Sequence, residues 1–357
     1  MAEGFSASIM PGLEDIDIDH LMGTDYSKNY ELTLTNEALE THSIRYANLL
    51  AVEKLPVENV FQSGNGIFYK TNNLIPPQKC ESPSGNCLPE VRDRDGLEYF
   101  SLSDPDNLRS KEEIIISFPV NEAGQKGLVI GKRQSLMTTY LLYQGLAYMG
   151  NAVGYFFTQY ELGNIRQKEN VFNLLGGIEV FVKDADGEWV LQSEIHETGP
   201  IAVDYSIIPI QNLKKGEVEI KIRMNNGLWR IGYLALTEIK GEVYPEVFQP
   251  VEVEKQEGSE SDGLGKLLDP DDYLVTFPGD RYVLKYELPY EHAALFLNSK
   301  GYYLEWIREG WIEEQDLKKL HQMIRKPERY LKEIAPSYKK VEPEMENAFW
   351  NSRYVMP

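Results

Sequence analysis

Apolar and polar residues alternate with a period of two along much of the chain, which predicts strands with one buried face. Tyr30-Glu31-Leu32-Thr33-Leu34-Thr35 is such a run, interrupted at Asn36-Glu37, and Ala47 to Val52 reads as a buried strand. Ile114-Ile115-Ile116-Ser117-Phe118 predicts another, stopped at Pro119. Ile178, Val180 and Val182 alternate with Glu179, Phe181 and Lys183, and Asp184-Ala185-Asp186-Gly187 turns the chain into Trp189-Val190-Leu191. Val218, Ile220, Ile222 and Met224 alternate with Glu219, Lys221 and Arg223. There Asn225-Asn226-Gly227 is a second hairpin signal before Leu228 to Leu236. Tyr273 to Phe277 and Tyr282 to Tyr286 flank a Pro278-Gly279 turn. Helical spacing is confined to two places. Gln134 to Tyr160 carries no charge and reads as a buried amphipathic helix with a tyrosine-rich face. In 312–335, Leu317, Leu320 and Ile324 recur, Pro327 ends or kinks the helix, and Tyr330-Leu331 resumes it briefly.

These elements imply a mainly β fold: two β-sandwich or jelly-roll-like modules with a small α+β C-terminal domain. The boundaries fall at an acidic arm (1–25), a sandwich-like module with a cysteine loop (26–133), and a helix plus jelly-roll-like module (134–248). A Gly/Ser-rich acidic linker (249–268) and the C-terminal domain (269–357) follow. Arg45 to Glu53 resembles Arg230 to Glu238, and Val60-Phe61 and Val247-Phe248 follow in turn. This echo marks either related modules or one strand type recurring.

Charge narrows the function. Lys+Arg 36 against Asp+Glu 56 gives a formal charge of −20, a field that repels phosphate backbones, so nucleic-acid binding is not expected. Gln144, Asn151 and Gln159 make the charge-free stretch too polar for a lipid-facing span, so no transmembrane segment is expected. Met1-Ala-Glu-Gly-Phe lacks the basic and apolar regions of an export leader. In Cys80-Glu-Ser-Pro-Ser-Gly-Asn-Cys87 the central turn residues fold the chain back, which predicts a local disulfide and an oxidising compartment. A metal half-site would need further soft ligands, and there is no third cysteine.

Candidate chemistry is sparse. Asp15, Asp17 and Asp19 alternate, so an extended chain presents three carboxylates on one face. This is either an acidic strand or a calcium site, although His20 stands where a calcium loop has its glycine. Asp184 and Asp186 offer a second cation pair, and Glu194, His196 and Glu197 a third polar cluster. Glu37 and Glu40 are the first acids to consider for paired-carboxylate hydrolysis. Trp189, Tyr205, Trp229 and Tyr233 are candidate ligand platforms, since aromatic faces beside Asn and Arg donors suit carbohydrate. The alternative fate for such residues is burial in a sandwich core.

Two stretches carry a family resemblance. Asn36-Glu37-Ala38-Leu39-Glu40-Thr41-His42 with Leu49-Leu50-Ala51-Val52-Glu53, and Asn86-Cys87-Leu88-Pro89-Glu90-Val91-Arg92-Asp93-Arg94-Asp95-Gly96, resemble the region downstream of the propeller in bacterial FG-GAP-repeat proteins of the ASPIC/UnbV type. Ile178 to Leu236 resembles a galactose-binding jelly roll. Val52-Glu53-Lys54-Leu55-Pro56 departs from the family pattern, and the propeller's Asp-rich calcium repeats are absent. The resemblance implies an exported, surface-associated β protein without an assigned chemistry. The expected function is a non-catalytic extracellular or cell-surface binding module for a glycan or protein partner. The alternatives are a structural subunit of an extracellular assembly and a carbohydrate-active hydrolase.

Overall fold

The apolar run Ala47 to Val52 lies inside the strand Glu40–Glu53, which pairs antiparallel along its length with Ala293–Glu305, from Glu40 opposite Glu305 to Glu53 opposite Ala293. Asp15–His20 extends this sheet beyond Ala293–Glu305, and Glu246–Phe248 and Leu274–Thr276 pair on the far side of Glu40–Glu53. The computed structural model describes residues 14–24, 26–121, 124–162, 170–184, 186–196, 199–211, 213, 215–256 and 262–354.

A three-stranded sheet, Glu252–Lys255, Arg281–Glu287 and Asn29–Thr35, covers one face of this five-stranded sheet. Ala47, Leu49 and Ala51 point into that layer against Tyr282, Leu284 and Tyr286. Leu50 and Val52 point the other way, against Val60, Phe68 and Phe296. A strand buried on both faces reads as an unbroken apolar run, and this one does.

The second face meets a closed five-stranded barrel, in the order Asp204–Ile210, Asn59–Gln62, Phe68–Ile75, Trp229–Val243 and Lys126–Gln134. Its interior is filled by Phe61, Val129, Ile207, Tyr233, Ala235 and Ile239. The opposite parity, including Leu128, Ile130, Ile208 and Leu234, packs on a six-stranded sheet. That sheet runs Trp189–Ile195, Ile178–Lys183, Gly216–Asn225, Lys111–Val120, Lys79–Ser82 and Gly85–Asn86. The same core takes in the helices Met137–Met149, Leu317–Arg325 and Pro327–Asn351 through Leu141, Leu320, Leu331 and Tyr338. The protein is therefore mainly β, two sandwich-like packings with a small helical C-terminal region. Among the described residues no helix is long and apolar enough to cross a membrane.

Several local expectations need correction. Residues 15–20 are a sheet strand rather than a free arm, and residues 252–255 and 263–268 of the expected linker are a strand and a helix. The sheets also cross the expected boundaries, because Arg281–Glu287 and Ala293–Glu305 build the same sandwich as Asn29–Thr35 and Glu40–Glu53. Ile178 to Leu236 is shared between the six-stranded sheet and the barrel. Pro119 lies within the strand Lys111–Val120 opposite Glu217. Its other neighbour, Lys79–Ser82, pairs only with residues 115–117, so no ladder bond is lost there. Asn225-Asn226-Gly227 passes the chain from one sheet to the next instead of closing a hairpin. Gly227 adopts φ +75°, and a Cβ there would meet Ser103 at 2.6 Å. The piece after Pro327 runs to Asn351, through Pro336 and Pro343.

Gly131 faces the barrel interior, where an added Cβ would lie 2.6 Å from Tyr205 Cε1, whereas at Gly64 nothing lies within 4 Å. Gly131→Ala should therefore cost about 1–3 kcal/mol in urea denaturation, and Gly64→Ala less than about 0.5 kcal/mol. Equal midpoints for the two variants would contradict the packing described.

Candidate functional site

Two places bring polar and aromatic side chains together. The first lies toward one end of the barrel. Tyr205 and Tyr233 are both register partners of Gly131, one from each neighbouring strand. The missing Cβ leaves room for both rings to lean over the central strand, with centroids 6.2 Å apart. The Arg94 guanidinium lies over both, 5.2 Å from the Tyr205 centroid and 4.4 Å from that of Tyr233. Burial raises the pKa of both phenols, against the opposing pull of the Arg94 charge.

Arg94 is carried on a loop anchored at both ends. The Cys80–Cys87 disulfide, with Cα atoms 5.1 Å apart, ends at the N-cap of the helix Leu88–Arg92, whose Val91 is fully buried. Past Arg94, Gly96 takes φ +87° and Asp95 Oδ1 accepts the Leu97 N–H at 3.0 Å. Glu98 then grips Arg133 through two hydrogen bonds of 2.6 Å, and Tyr99 exchanges backbone hydrogen bonds of 2.8 and 3.1 Å with Ile231. Near enough to feel the charge of Arg94 is His20, stacked on Phe296 at 4.4 Å and edge-on to Phe61 at 5.4 Å. Burial, with the Arg94 and Lys54 charges, pushes its pKa down to about 3, so the ring is neutral. Its Nδ1 is buried with no hydrogen-bond partner among the described residues.

The second place is the opposite end of the register between Glu40–Glu53 and Ala293–Glu305. Glu40 and Glu305 are cross-strand partners with carboxyls in hydrogen-bonding reach. His42 Nε2 stands 3.1 Å from Glu40 Oε1. Arg308 Nη2 donates to Glu305 at 3.0 Å and to the Tyr143 hydroxyl at 3.2 Å, and its guanidinium stacks on Tyr143 and Trp311. Burial, then repulsion by Glu40, raises the Glu305 pKa to about 7 against the opposing charge of Arg308.

Of the four expected ligand aromatics, the structure brings together only Tyr205 and Tyr233. Trp229 is 1% exposed within the main core, and Trp189 lies on the edge strand of the six-stranded sheet beneath Lys183 and Lys221. Asp15, Asp17 and Asp19 do share a strand face. Asp15 and Asp17 each turn one oxygen back to the next N–H at 2.9 Å, and strand geometry spaces the three in a row rather than around an ion. Burial raises the Asp17 pKa, with added repulsion from Asp204 and Asp15. Among the described residues no group of three or more His, Cys, Asp or Glu is arranged to hold a metal. Asp184 Oδ1 is engaged by the N–H groups of Asp186 and Glu188, closing the turn. Glu194 accepts from the Gly177 N–H, His196 is exposed, and Glu197 lies outside the described residues. Glu37 pairs with Arg353 at 3.3 Å and does not join Glu40. Arg94, Glu305 and Arg308 were missing from the sequence reading. Arg94 meets Tyr205 and Tyr233, Glu305 faces Glu40, and Arg308 reaches Tyr143, each across more than a hundred residues, so no local pattern announces these meetings.

No family model matches the chain, and no curated protein does. Among solved structures, dimeric latent PorU from Porphyromonas gingivalis is similar at 9% identity and TM-score 0.18, over 79% of this chain and 32% of that one. The chain thus spans about a third of that protein. A structure of the infectious bursal disease virus Gt strain is similar at 9% identity and TM-score 0.15, over 88% of this chain and 89% of that one. At these scores neither likeness bears on fold or function.

The Glu40–Glu305 pair generates a pH dependence. Below about pH 4.5 the folded and unfolded states both keep the Glu305 proton. Between there and about pH 7 the unfolded chain releases it while the folded chain retains it, so stability falls as pH rises. The full loss is on the order of 3 kcal/mol. Glu305→Gln should flatten this part of the stability profile in urea titrations from about pH 5 to about pH 7.5. An unchanged slope would mean that the two carboxyls are not coupled as described.

Proposed function

We propose that this chain is a non-catalytic binding module of an exported protein, recognising a glycan or protein partner at the Arg94–Tyr205–Tyr233 platform. The observation that carries this reading is the Arg94 guanidinium. It is exposed, held over two tyrosine rings, and engaged in no ion pair among the described residues. An arginine on a rigid support is among the residue types that dominate recognition surfaces, and here the rings of Tyr205 and of the buried Tyr233 supply the support. The disulfide is buried at both cysteines, which fits assembly in an oxidising compartment and supports an extracellular or cell-surface setting.

The hydrolase alternative draws no support from the acids that do meet. Glycosidic cleavage needs two carboxyls about 5–5.5 Å apart for retention or about 6.5–9.5 Å apart for inversion. Glu305 is instead engaged by Arg308 at 3.0 Å, and Glu40 lies 3.1 Å from His42.

A glycan array and a panel of extracellular proteins, each run with and without calcium, test the reading. Wild-type protein should bind with micromolar affinity and release no product, and Tyr205→Ala should weaken binding by about tenfold. Turnover of a glycan, or binding by Tyr205→Ala equal to wild type, would overturn it.

A further inference from the structure

We infer that the side chains of Lys132 and Asp204 condense into an amide, a self-made cross-link between the two barrel strands that carry them. They are direct cross-strand partners, Lys132 on Lys126–Gln134 and Asp204 on Asp204–Ile210. Facing side chains on antiparallel strands start about 5 Å apart, so a lysine reaches its partner's carboxyl without bending the backbone. Lys132 Nζ meets Asp204 Oδ2 and donates to Ser206 Oγ at 2.8 Å. The Lys132 side chain is 1% exposed, whereas Lys221, the next most buried of the ion-paired lysines among the described residues, is 12% exposed. Leu128, Ile130 and Ile208 on the same strand faces enter the main core, which shuts the nitrogen off from water.

Asp17 completes the set. Its strand, Asp15–His20, packs on Asp204–Ile210, and the half-buried Asp17 lies close enough to feel the charges of both Asp204 and Lys132. Burial, with repulsion from Asp204 and Asp15, favours its protonated form. One proton passes from Nζ to the Asp204 carboxylate, which turns the ion pair into an amine and an acid. A dry site narrows the gap between these two states, since only the ionic one loses its hydration there. The Nζ lone pair then attacks Asp204 Cγ, and the C–N bond forms. Asp17 gives its proton to the departing hydroxyl and regains one from the nitrogen. The Cγ–O bond breaks, and one water leaves by the Asp204 side, which is 23% exposed. The step consumes nothing besides the two side chains. Groups held together in this way react as if at about 10⁵ M or more. The product exchanges two charges in a dry place for one neutral amide, and it ties together residues 72 apart in sequence.

The intact mass of the full chain, denatured and with its disulfide reduced, tests the inference. Wild-type protein should be lighter than its sequence by one water. Digestion should give a branched peptide joining Lys132 to Asp204, with trypsin failing to cut between Lys132 and Arg133. Lys132→Arg keeps the charge and removes the reactive amine, and Asp204→Ala removes the carboxyl, so both should show their full sequence masses. On denaturing gels the looped wild-type chain should run ahead of either variant. Asp17→Asn should slow condensation by about a hundredfold and leave uncondensed chains on purification. Asp17→Glu should restore part of that rate. A merely structural Asp17 would alter the near-UV circular dichroism of the variant, not the rate among chains whose spectrum matches wild type. Wild-type protein at its full sequence mass would overturn the inference, as would a water loss that maps to other residues. Condensation at the wild-type rate in folded Asp17→Asn would overturn the part given to Asp17.

Discussion

The burial of Glu40–Glu53 on both faces is the constraint on which the rest of the fold depends. Ala47, Leu49 and Ala51 close one sandwich, while Leu50 and Val52 seat the barrel. A polar residue in that run would strand an unpaired group between two dry layers. A one-residue slip against Ala293–Glu305 would exchange the two faces and disturb both packings. The strand also ends in Glu40, so the register that builds the core is what presses two carboxyls together at its edge.

The Arg94 platform follows from a different device, a deliberate lack of side chain. Gly127 and Gly131 both face the barrel interior, where Cβ atoms would run into Ile207 and Tyr205. A barrel of five strands is narrow, and its interior takes large rings only where a neighbouring position gives up volume. The tyrosines are thereby held from below by backbone and from above by a guanidinium. Nearby, the Glu98–Arg133 clamp is joined by Glu346 of the last helix, at 2.8 Å from Arg133 and 3.0 Å from Arg230. The C-terminal helix thus buttresses the loop that carries Arg94.

Strands and turns were legible where a single period governed them. The run Ile178 to Lys183, its Asp184–Gly187 turn and the return through Trp189 are present as read. The cysteine loop was legible too, because its turn chemistry is local. What eluded the sequence was partnership over distance. Asn225-Asn226-Gly227 has hairpin residues, yet tertiary contacts with Ser103, Leu108 and Ser110 draw the chain into another sheet. Trp229 and Tyr233 looked alike as candidate platforms. The bulge between Ile231 and Tyr233 places them on opposite sides of one strand, the tryptophan in the main core and the tyrosine in the barrel. A period-two pattern carries no mark of such a shift.

The interleaving of early and late strands has a consequence for biosynthesis. The three-stranded and five-stranded sheets both wait for Arg281–Glu287 and Ala293–Glu305, although Asp15–His20, Asn29–Thr35 and Glu40–Glu53 are made near the beginning. For most of synthesis the stickiest segment of the chain, Leu49 to Val52, has no native cover. Pairings so far apart in sequence form slowly, and uncovered strands are where chains misassociate. A ribosome-bound intermediate of this protein therefore stays soft until its last quarter emerges. That delay makes truncation near the C-terminus a whole-molecule lesion rather than a local one.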